Sequence, residues 1–347
     1  MHIWHFHVES SNGRAPTELT ARTELMNELL ITTAGPSLGQ TDDLCAVVVT
    51  YHPDEPVMDN LRAMVRECRR VLVVDNGSVK ESCDRLAAVP GVTLLALGEN
   101  LGVATALNRG AAWALANGCA WVVTFDQDSS PQPGMVAAIW AVHQRDPLAA
   151  VIGPRIHEAG SDSDCYRWVR RHPRWPGMFQ RVSCANEDIA DVVMLVTSGS
   201  AIDLKVWQEL GGFDDGLFID YIDTDYCLRV RRAGRRVAVA ARAMLEHRLG
   251  DRHSKRVLGQ EFRPTHHAAF RHYYIARNRV RIWRRHALAV PHWALFDLAF
   301  ASFNTFRVFA FELERWPKFK AMLLGTWDGL RGRSGPCPEH RLRALKS

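Results

Sequence analysis

Short apolar segments alternate with helical segments between residues 44 and 153, and this alternation limits the fold more than any other feature of the sequence. The helical segments repeat their apolar residues on one face, whereas the apolar segments have the length of buried strands. Strands that alternate with helices are typical of βαβ units, which form a parallel sheet. The sequence therefore predicts an α/β fold with a mostly parallel sheet flanked by helices. The predicted strands are Leu44–Thr50, Val71–Asp75, Val92–Leu97, Trp121–Asp126 and Ala149–Gly153.

The segment from Trp121 to Ser130 carries the clearest chemical signal. Its apolar first half predicts a buried strand, and Asp126 and Asp128 follow at the expected carboxyl edge of the sheet, where open α/β sheets bind ligands. Residues i and i+2 of an extended segment point the same way, so both carboxylates could face one site. Such a pair suits a hard divalent cation whose shell is completed by substrate phosphates. An acidic turn after a strand is the alternative, since Asp and Ser favour turns.

A second acidic group lies at residues 214–225, where five aspartates occur within twelve residues. Aromatic residues alternate with them, so a solvated face explains them poorly. A helix is predicted from 223 to 234, with acids in its first turn and arginines in its last, as the helix macrodipole favours. A strand at 236–241 follows and leads to His247. Residues 154–190 show no clear period, which predicts a long irregular segment.

The order of several short motifs resembles that of glycosyltransferase family 2. In the first half of the chain these motifs are Val49-Thr50-Tyr51, Val74-Asp75-Asn76-Gly77-Ser78, Asn100-Leu101-Gly102, Asn108-Arg109-Gly110 and Asp126-Gln127-Asp128. The segments 218–229, 247–251 and 271–278 resemble the bacterial rhamnosyltransferase branch of the family. The resemblance implies a GT-A fold, which is Rossmann-like, together with a nucleotide-sugar donor, a divalent metal and inversion at the sugar carbon.

The resemblance also implies a metal site and a donor site. Asp128, with Asp126 nearby, would hold Mg2+ or Mn2+ and neutralise the charge that develops on the leaving phosphate. His247 would complete the metal shell; without the resemblance, an ordinary surface or core histidine is the simpler interpretation. For Gly102 the alternative is an ordinary loop glycine. The residues implied in donor binding are Thr50, Tyr51, Asp75, Gly102, Asn108 and Asp126.

Asp223 matches the acidic position that the family uses as a general base, the group that takes the proton of the acceptor hydroxyl. Asp220 and Asp225 are the competing candidates and would otherwise orient the acceptor or the base. Helix capping is the alternative for Asp223, because this residue lies at a predicted helix N-terminus.

The implied function is inverting, metal-dependent transfer of a sugar, L-rhamnose from dTDP-L-rhamnose, onto a growing surface polysaccharide or lipid-linked glycan. Transfer of another hexose or of galactofuranose from a UDP-sugar is the first alternative. A haloacid-dehalogenase-like phosphatase is more distant: residues 125–130 resemble its DxDxT/S loop, with Asp126 as nucleophile, but that loop normally follows the first strand. A module that only binds anionic polymers, suggested by the arginines at 229–236, leaves the clustered aspartates unexplained.

Three regions are predicted: an N-terminal extension of unknown role at 1–40, a GT-A domain at 41–250 and a helical C-terminal extension at 251–347 on the acceptor side. Within the last, residues 289–312 predict an amphipathic helix, for which packing on the main domain and contact with the inner membrane face are both open. Its apolar runs are far shorter than the ~20 residues of a bilayer span.

Composition and the first residues of the chain indicate the class of protein and its cellular compartment. The net charge of +5 and the hydrophobic fraction of 47% are those of an ordinary globular protein, and no nucleic-acid partner is expected. The eight cysteines form no CxxC pair, which favours free thiols in a reducing compartment. The first residues lack the basic and then apolar build of a signal peptide, so the cytoplasm is expected, with peripheral contact to the inner face of the plasma membrane as an additional hypothesis.

Overall fold

The computed structural model describes a defined part of the chain, and residues 43–347 form one compact unit. Residues 1–40, with a predicted short helix at 17–30, lie outside the described part. The described residues are 43–158, 167–172, 174–175, 178–184, 187–247, 255–257, 260–262, 268–312 and 315–344.

An eight-stranded sheet forms the centre of the fold, in the order β3-β2-β1-β4-β9-β6-β10-β5. Neighbouring strands are parallel except where β9 lies between β4 and β6 and where β5 pairs with β10. The predicted α/β fold with a mostly parallel sheet is confirmed. The strands, in chain order, are β1 (Leu44–Thr50), β2 (Arg70–Asp75), β3 (Val92–Ala96), β4 (Trp121–Asp126), β5 (Ser129–Pro131), β6 (Ala149–Glu158), β7 (Arg167–Arg171), β8 (Phe179–Ser183), β9 (Ala201–Asp203), β10 (Arg236–His247), β11 (Lys255–Val257) and β12 (Gln260–Phe262).

Helices cover both faces of the sheet, and this explains why the central strands are apolar without a break. In β1 every residue is buried: Val47 and Val49 join one apolar cluster, whereas Ala46 and Val48 join the other. Such burial on both faces is typical of parallel strands. The helices are α1 (Pro56–Glu67), α2 (Lys80–Ala87), α3 (Val103–Ala116), α4 (Met135–Arg145), α5 (Leu204–Glu209), α6 (Ile222–Arg232), α7 (Ala269–His286), α8 (Pro291–Phe311), α9 (Arg315–Leu330) and α10 (Glu339–Ala344).

Two predictions about the middle of the chain were wrong. The segment 154–190 is not irregular throughout, because β6 continues into it and β7 pairs with β8 as an antiparallel hairpin. Adjacent residues Trp168 and Val169 are both buried, so the two-residue period that reveals a strand is missing. The strand predicted to end at Ala241 runs to His247. A register shift after Ala240 interrupts its pairing with β6, and the pairing resumes at Met244.

The C-terminal helices contact and position the acidic segment that precedes α6. On α7, the buried side chains of Arg277 and Asn278 donate hydrogen bonds to the backbone carbonyls of Leu217, at 3.0 Å and 2.9 Å. Asn278 also donates to the carbonyl of Asp220, at 2.9 Å. α9 packs closely on α7, since a Cβ atom added at Gly329 would lie 2.7 Å from the carbonyl oxygen of Arg277. Across the described part of the chain, no helix combines the length and the hydropathy needed to cross a membrane.

Candidate active site

The carboxyl ends of three neighbouring parallel strands bring polar residues to one edge of the sheet. Thr50 at the end of β1 lies opposite Asp75 at the end of β2, and Val49 lies opposite Asp126 at the end of β4. This is the edge at which open α/β sheets bind ligands. The predicted convergence of these strand ends is therefore present in the fold.

The antiparallel pairing of β5 with β10 brings His247 to the loop that carries the two aspartates. Ser129 lies opposite His247 in this pairing, and the Ser129 hydroxyl forms a hydrogen bond with the His247 Nδ1 atom at 2.8 Å. The Asp128 Oδ1 atom lies 3.4 Å from the same nitrogen. Ser198 extends this contact, because its hydroxyl bonds to that of Ser129 at 2.7 Å and accepts from the Asp126 backbone N–H at 3.2 Å. Asp126, Asp128 and His247 thus share one locality.

The two carboxylates of this loop differ in exposure, because the Asp128 side chain is 47% exposed and only its Oδ1 atom is buried, whereas Asp126 is partly buried. Burial, together with the charge of Asp128, raises the pKa of Asp126 to about 6, and the charge of His247 opposes this shift. Burial also raises the pKa of Asp128, again against the effect of His247. Two carboxylates that share such a place repel each other, and a cation between them would relieve that repulsion.

Asp126, Asp128 and His247 are the residues that could hold a divalent metal. Within the residues that the structure describes, no three His, Cys, Asp or Glu side chains are arranged to hold a metal ion by themselves. However, the Asp128 Oδ1 atom is buried without a hydrogen-bond partner, close to the His247 ring. The Ser129 hydroxyl bonds to the same Nδ1 atom that faces Asp128, so this nitrogen can join Asp128 at a metal only when that hydrogen bond is released. Asp128 and His247 therefore fit a cation only in part, and its remaining ligands would be supplied by substrate phosphates.

Asp223 lies in the first turn of α6, where the preceding backbone is constrained. Asp220 and Tyr221 have positive φ angles of 65° and 66°, and Tyr221, not Asp223, occupies the N-cap position. The Asp223 Oδ1 atom accepts a hydrogen bond from the Thr224 N–H at 2.7 Å. Burial raises the pKa of Asp223 to about 6, against the effect of this bond, and the charges of Asp220 and Asp126 add to the rise. Asp223 is therefore an unusually basic carboxylate close to the loop of Asp126.

Arg271 is a cation of this site to which the sequence assigned no role. It lies at the start of α7 and donates to both carboxylate oxygens of Asp220, at 2.5 Å and 3.3 Å. Its charge also lowers the pKa of Asp126, although burial keeps that pKa high. The signal for Arg271 was its position as the first residue of the motif at 271–278. Only the packing of α7 shows that this end of the motif reaches the carboxylates.

Asp225 occupies a different environment from Asp223, although it is only two residues away. Its carboxylate is fully buried and contacts Arg229 at 2.8 Å, Arg285 at 2.7 Å and the His286 Nε2 atom at 3.0 Å. Burial by itself raises the pKa of Asp225, but the hydrogen bond from His286 and the charges of the two arginines lower it to about 2. The charge of Asp225 is therefore balanced by the protein's own side chains, and the contacts with Arg285 and His286 join α6 to the end of α7.

Among the implied donor residues, Tyr51 presents its side chain to solvent and the Thr50–Asp75 pair is buried. The Thr50 hydroxyl donates to Asp75 at 2.9 Å, and Asp75 also accepts from the Ser78 backbone N–H at 2.7 Å. The Tyr51 side chain is 45% exposed, and its backbone N–H donates to the Gln127 side chain at 2.8 Å. Tyr51 is thus held next to the loop that carries both aspartates, with its ring accessible.

Gly102 and Asn108 contact the protein itself. Gly102 has a φ of 89°, and a Cβ atom there would overlap the Phe218 backbone, whose carbonyl accepts from the Val103 N–H at 2.7 Å. An ordinary loop glycine does not explain so close an approach. The Asn108 side chain bonds to the Phe213 backbone and to Trp207 and Asp215. These contacts position the acidic segment and give no support to direct donor contact by Gly102 or Asn108.

Comparison with known proteins identifies sequence relatives of this chain. The family model for glycosyl transferase family 2 matches residues 45–211. A dTDP-rhamnosyl transferase of Shigella flexneri is 27% identical over 298 residues, which cover 84% of this chain and 97% of the relative. An N-acetylglucosaminyl-diphospho-decaprenol L-rhamnosyltransferase of Mycobacterium tuberculosis is 29% identical over 225 residues, which cover 56% of this chain and 72% of the relative.

Solved structures show the same fold at low identity. The crystal structure of S. aureus TarS 1–349 in complex with UDP-GlcNAc superposes with a TM-score of 0.53 at 14% identity, covering 87% of this chain and 83% of that one. The structure of GalNAc-T7 with UDP, GalNAc and Mn2+ gives a TM-score of 0.51 at 16% identity, covering 70% of this chain and 47% of that one. This chain thus spans about half the length of GalNAc-T7.

These matches argue against the phosphatase alternative. The order of strands also disfavours it, because three strands of the described part precede the one that ends at Asp126. The family model, the GT-A fold and the pair of aspartates at the carboxyl edge of the sheet lead to the same assignment. Residues 45–211 match glycosyl transferase family 2, and the protein is a glycosyltransferase.

Proposed function

We propose that the enzyme transfers L-rhamnose from dTDP-L-rhamnose to a hydroxyl group of a growing surface polysaccharide or lipid-linked glycan, with inversion at the sugar carbon. The observation that carries the choice of donor is the similarity to the dTDP-rhamnosyl transferase of S. flexneri, which extends over 84% of this chain. The similarity to the L-rhamnosyltransferase of M. tuberculosis supports the same sugar. The proposed acceptor class is supported by the M. tuberculosis relative, which is named for a lipid-linked saccharide, N-acetylglucosaminyl-diphospho-decaprenol.

The metal would be Mg2+ or Mn2+, held by Asp128 and His247 with Asp126 beside it. The carboxylates suit Mg2+, whereas an imidazole ligand also suits Mn2+. When bound, the ion supplies positive charge that stabilises the leaving diphosphate. The arrangement that supports this assignment is the buried, unpartnered Asp128 Oδ1 atom near the ring that Ser129 orients.

Asp223 would act as the general base. A carboxylate with a pKa of about 6 is still ionised at neutral pH and binds a proton more strongly than an ordinary aspartate. It takes the proton of the acceptor hydroxyl while that oxygen forms a bond to the sugar carbon. The bond between the sugar and the diphosphate breaks on the opposite face, and its electron pair stays on the phosphate oxygen. The charge of the leaving group is thereby balanced by the proton gained at Asp223.

Asp220 and Asp225 would position the base. Arg271 holds Asp220 beside Asp223, and the same guanidinium is close enough to Asp126 to serve a phosphate of the donor. Asp225 would act from a distance, because its ion pairs fix the helix that carries Asp223. Neither of these two carboxylates needs to touch the acceptor in this assignment.

The donor base would stack on Tyr51, whose ring is exposed next to the aspartate loop. Thr50 and Asp75 would shape the base pocket from below, since they bond to each other and are buried. Gly102 and Asn108 would contribute to the donor site only by holding the backbone around it.

A panel of nucleotide-sugars tests the donor. The purified full chain should hydrolyse or transfer dTDP-L-rhamnose in the presence of Mn2+, and dTDP should raise its melting temperature more than UDP does. Turnover of UDP-glucose or UDP-galactofuranose, with dTDP-L-rhamnose inert, would show that a UDP-sugar is the donor. The Tyr51→Ala variant separates base stacking from the other donor contacts, because it should raise the KM for the donor with little change in kcat.

A further inference from the structure

The outward face of α8 is apolar except for Ser302. The strongly exposed side chains include Leu295, at 69% exposure, and Phe306, at 64%. Both charged residues of this helix turn inward: Asp297 is 7% exposed, and Arg307 pairs with Glu312. The exposed positions follow the helical repeat of three and four residues. They are Pro291, Leu295, Leu298, Ala299, Ser302, Phe303, Phe306 and Ala310.

The outward face of α9 carries large apolar side chains mixed with cations. Phe309 of α8 contacts Phe319 of α9, with ring centroids 5.1 Å apart, so the two helices adjoin. Arg331 lies over the Trp327 ring at 4.4 Å. The exposed residues of α9 and of the position after it are Arg315, Trp316, Lys320, Leu323, Thr326, Trp327, Leu330 and Arg331. We call the outward faces of these two helices the α8–α9 surface.

The acidic residues of this region are withdrawn from the surface. Among the described residues between 284 and 333, the acids are Asp297, Glu312 and Asp328, and each is buried against a cationic partner. The charged groups that remain exposed there are cations. A soluble protein rarely leaves so extended an apolar surface uncovered.

We propose that the α8–α9 surface rests on an anionic membrane surface. Leucine and phenylalanine side chains would enter the boundary between headgroups and acyl chains, while Arg315, Lys320 and Arg331 meet lipid phosphates. Tryptophan suits this boundary, because its ring is apolar and its N–H needs a polar partner. A second copy of the chain fits less well: across a two-fold axis the cations would face each other, with no described exposed acid in this region to pair with them.

Sedimentation of the full chain with vesicles tests the proposal. Vesicles of phosphatidylglycerol and phosphatidylcholine should pellet the protein, whereas vesicles of phosphatidylcholine alone should pellet much less of it. The substitutions Phe306→Glu and Leu298→Glu should each weaken binding by about tenfold, because each removes apolar burial and adds a charge that the lipid repels. Leu148→Glu is the matched control, since this leucine is also exposed but lies outside the α8–α9 surface. It should bind as the unchanged protein does.

A charge variant and a mass measurement complete the test. Lys320→Gln combined with Arg331→Gln should weaken binding to the anionic vesicles and leave transfer to a soluble acceptor unchanged, which also shows that the variant is folded. The vesicles contain no sugar acceptor, so the result does not depend on the proposed reaction. Failure of the full chain to bind, or equal binding by Phe306→Glu and Leu148→Glu, would overturn the proposal. A dimer in light scattering that Phe306→Glu dissociates, without lipid binding, would assign the surface to a second copy.

Discussion

Two groups of carboxylates in this protein lie in opposite electrostatic environments. Burial raises the pKa of Asp126, Asp128 and Asp223, although the Asp128 side chain remains 47% exposed. Asp214 and Asp225 face arginines and a histidine instead, which lower their pKa values although burial opposes this. We call the first group the site carboxylates and the second the paired carboxylates.

The difference shows which carboxylates the protein leaves with unbalanced charge. The paired carboxylates join α6 and the segment before it to α7, and their charge is balanced within the protein: Asp214, in that segment, contacts Arg281 at 2.9 Å and Arg285 at 2.8 Å. The site carboxylates keep charge that the protein balances only in part, which destabilises the folded chain without ligands. Such unbalanced charge is useful where a cation and a proton must bind. The comparison therefore assigns chemistry to one group and structural support to the other.

Removal of the metal should have the largest effect on the site carboxylates. An excess of chelator should abolish transfer, and added Mn2+ or Mg2+ should restore it, because the leaving phosphate would otherwise keep its charge. The Asp128→Asn variant should likewise lose metal-dependent donor binding, measured by calorimetry. Undiminished turnover in excess chelator would remove the metal from the proposed mechanism.

Asp223→Asn should lower kcat by about 10²–10⁴-fold, since the amide cannot accept the acceptor's proton. Donor affinity should change little, because no donor contact is assigned to this side chain. Initial rates at saturating donor, with calorimetry of donor binding, measure the two effects separately. If Asp223→Asn keeps near-normal turnover while Asp220→Asn is inactive, the base has been assigned to the wrong carboxylate.

Asp225→Asn should instead reduce the free energy of unfolding, by about 3 kcal/mol, because it leaves Arg229 without its buried counter-charge and leaves Arg285 with Asp214 alone. Urea unfolding at pH 7 measures this loss. Asp84→Asn is the matched control: this aspartate pairs with Lys80 at 2.7 Å in an exposed setting, so its loss should change the free energy of unfolding far less than the loss of Asp225. In the unchanged protein the Asp225 contribution is present above pH 4 and disappears as the pH falls towards 2.

The smallest effect concerns the stability of the Asp223→Asn variant without metal. The pKa of Asp223 is higher in the folded chain than in the unfolded chain, so its charge costs stability that appears as the pH rises through about 6. The variant should therefore be more stable than the unchanged protein by about 1–2 kcal/mol at pH 7 and equal to it near pH 4. Melting temperatures at the two pH values test this. A variant that is less stable at pH 7 would show that Asp223 is a paired carboxylate.

Local sequence was sufficient for six of the eight strands of the sheet, whereas β5 and β9 were not predicted. The apolar run of β1 predicts a buried strand because every position lies between two helical layers, and the helix predicted from 223 begins within one residue of α6. The hairpin β7–β8 was missed because its buried neighbours Trp168 and Val169 hide the strand period. In each case success depended on whether burial followed the local period of the backbone.

The site was predictable as a set of residue types but not as a set of contacts. Asp128 and His247 could be proposed together only through the family resemblance, and their 3.4 Å approach depends on the antiparallel pairing of β5 with β10. Arg271 had no assigned role, because its approach to Asp220 depends on where α7 packs. Contacts between distant segments depend on strand order and helix packing, which no local pattern encodes.

Asp223 and Asp225 show most directly what the sequence by itself determined and what only the tertiary structure decided. The sequence determined that two aspartates two residues apart begin a helix. Two residues of an α-helix turn the side chain by roughly 200°, so the two carboxylates leave opposite sides of α6. One side meets the loop of Asp126, and the other meets Arg285 and His286 on α7. The same side-chain chemistry thus becomes a strong base at one position and an ion pair at the other, because the neighbours differ.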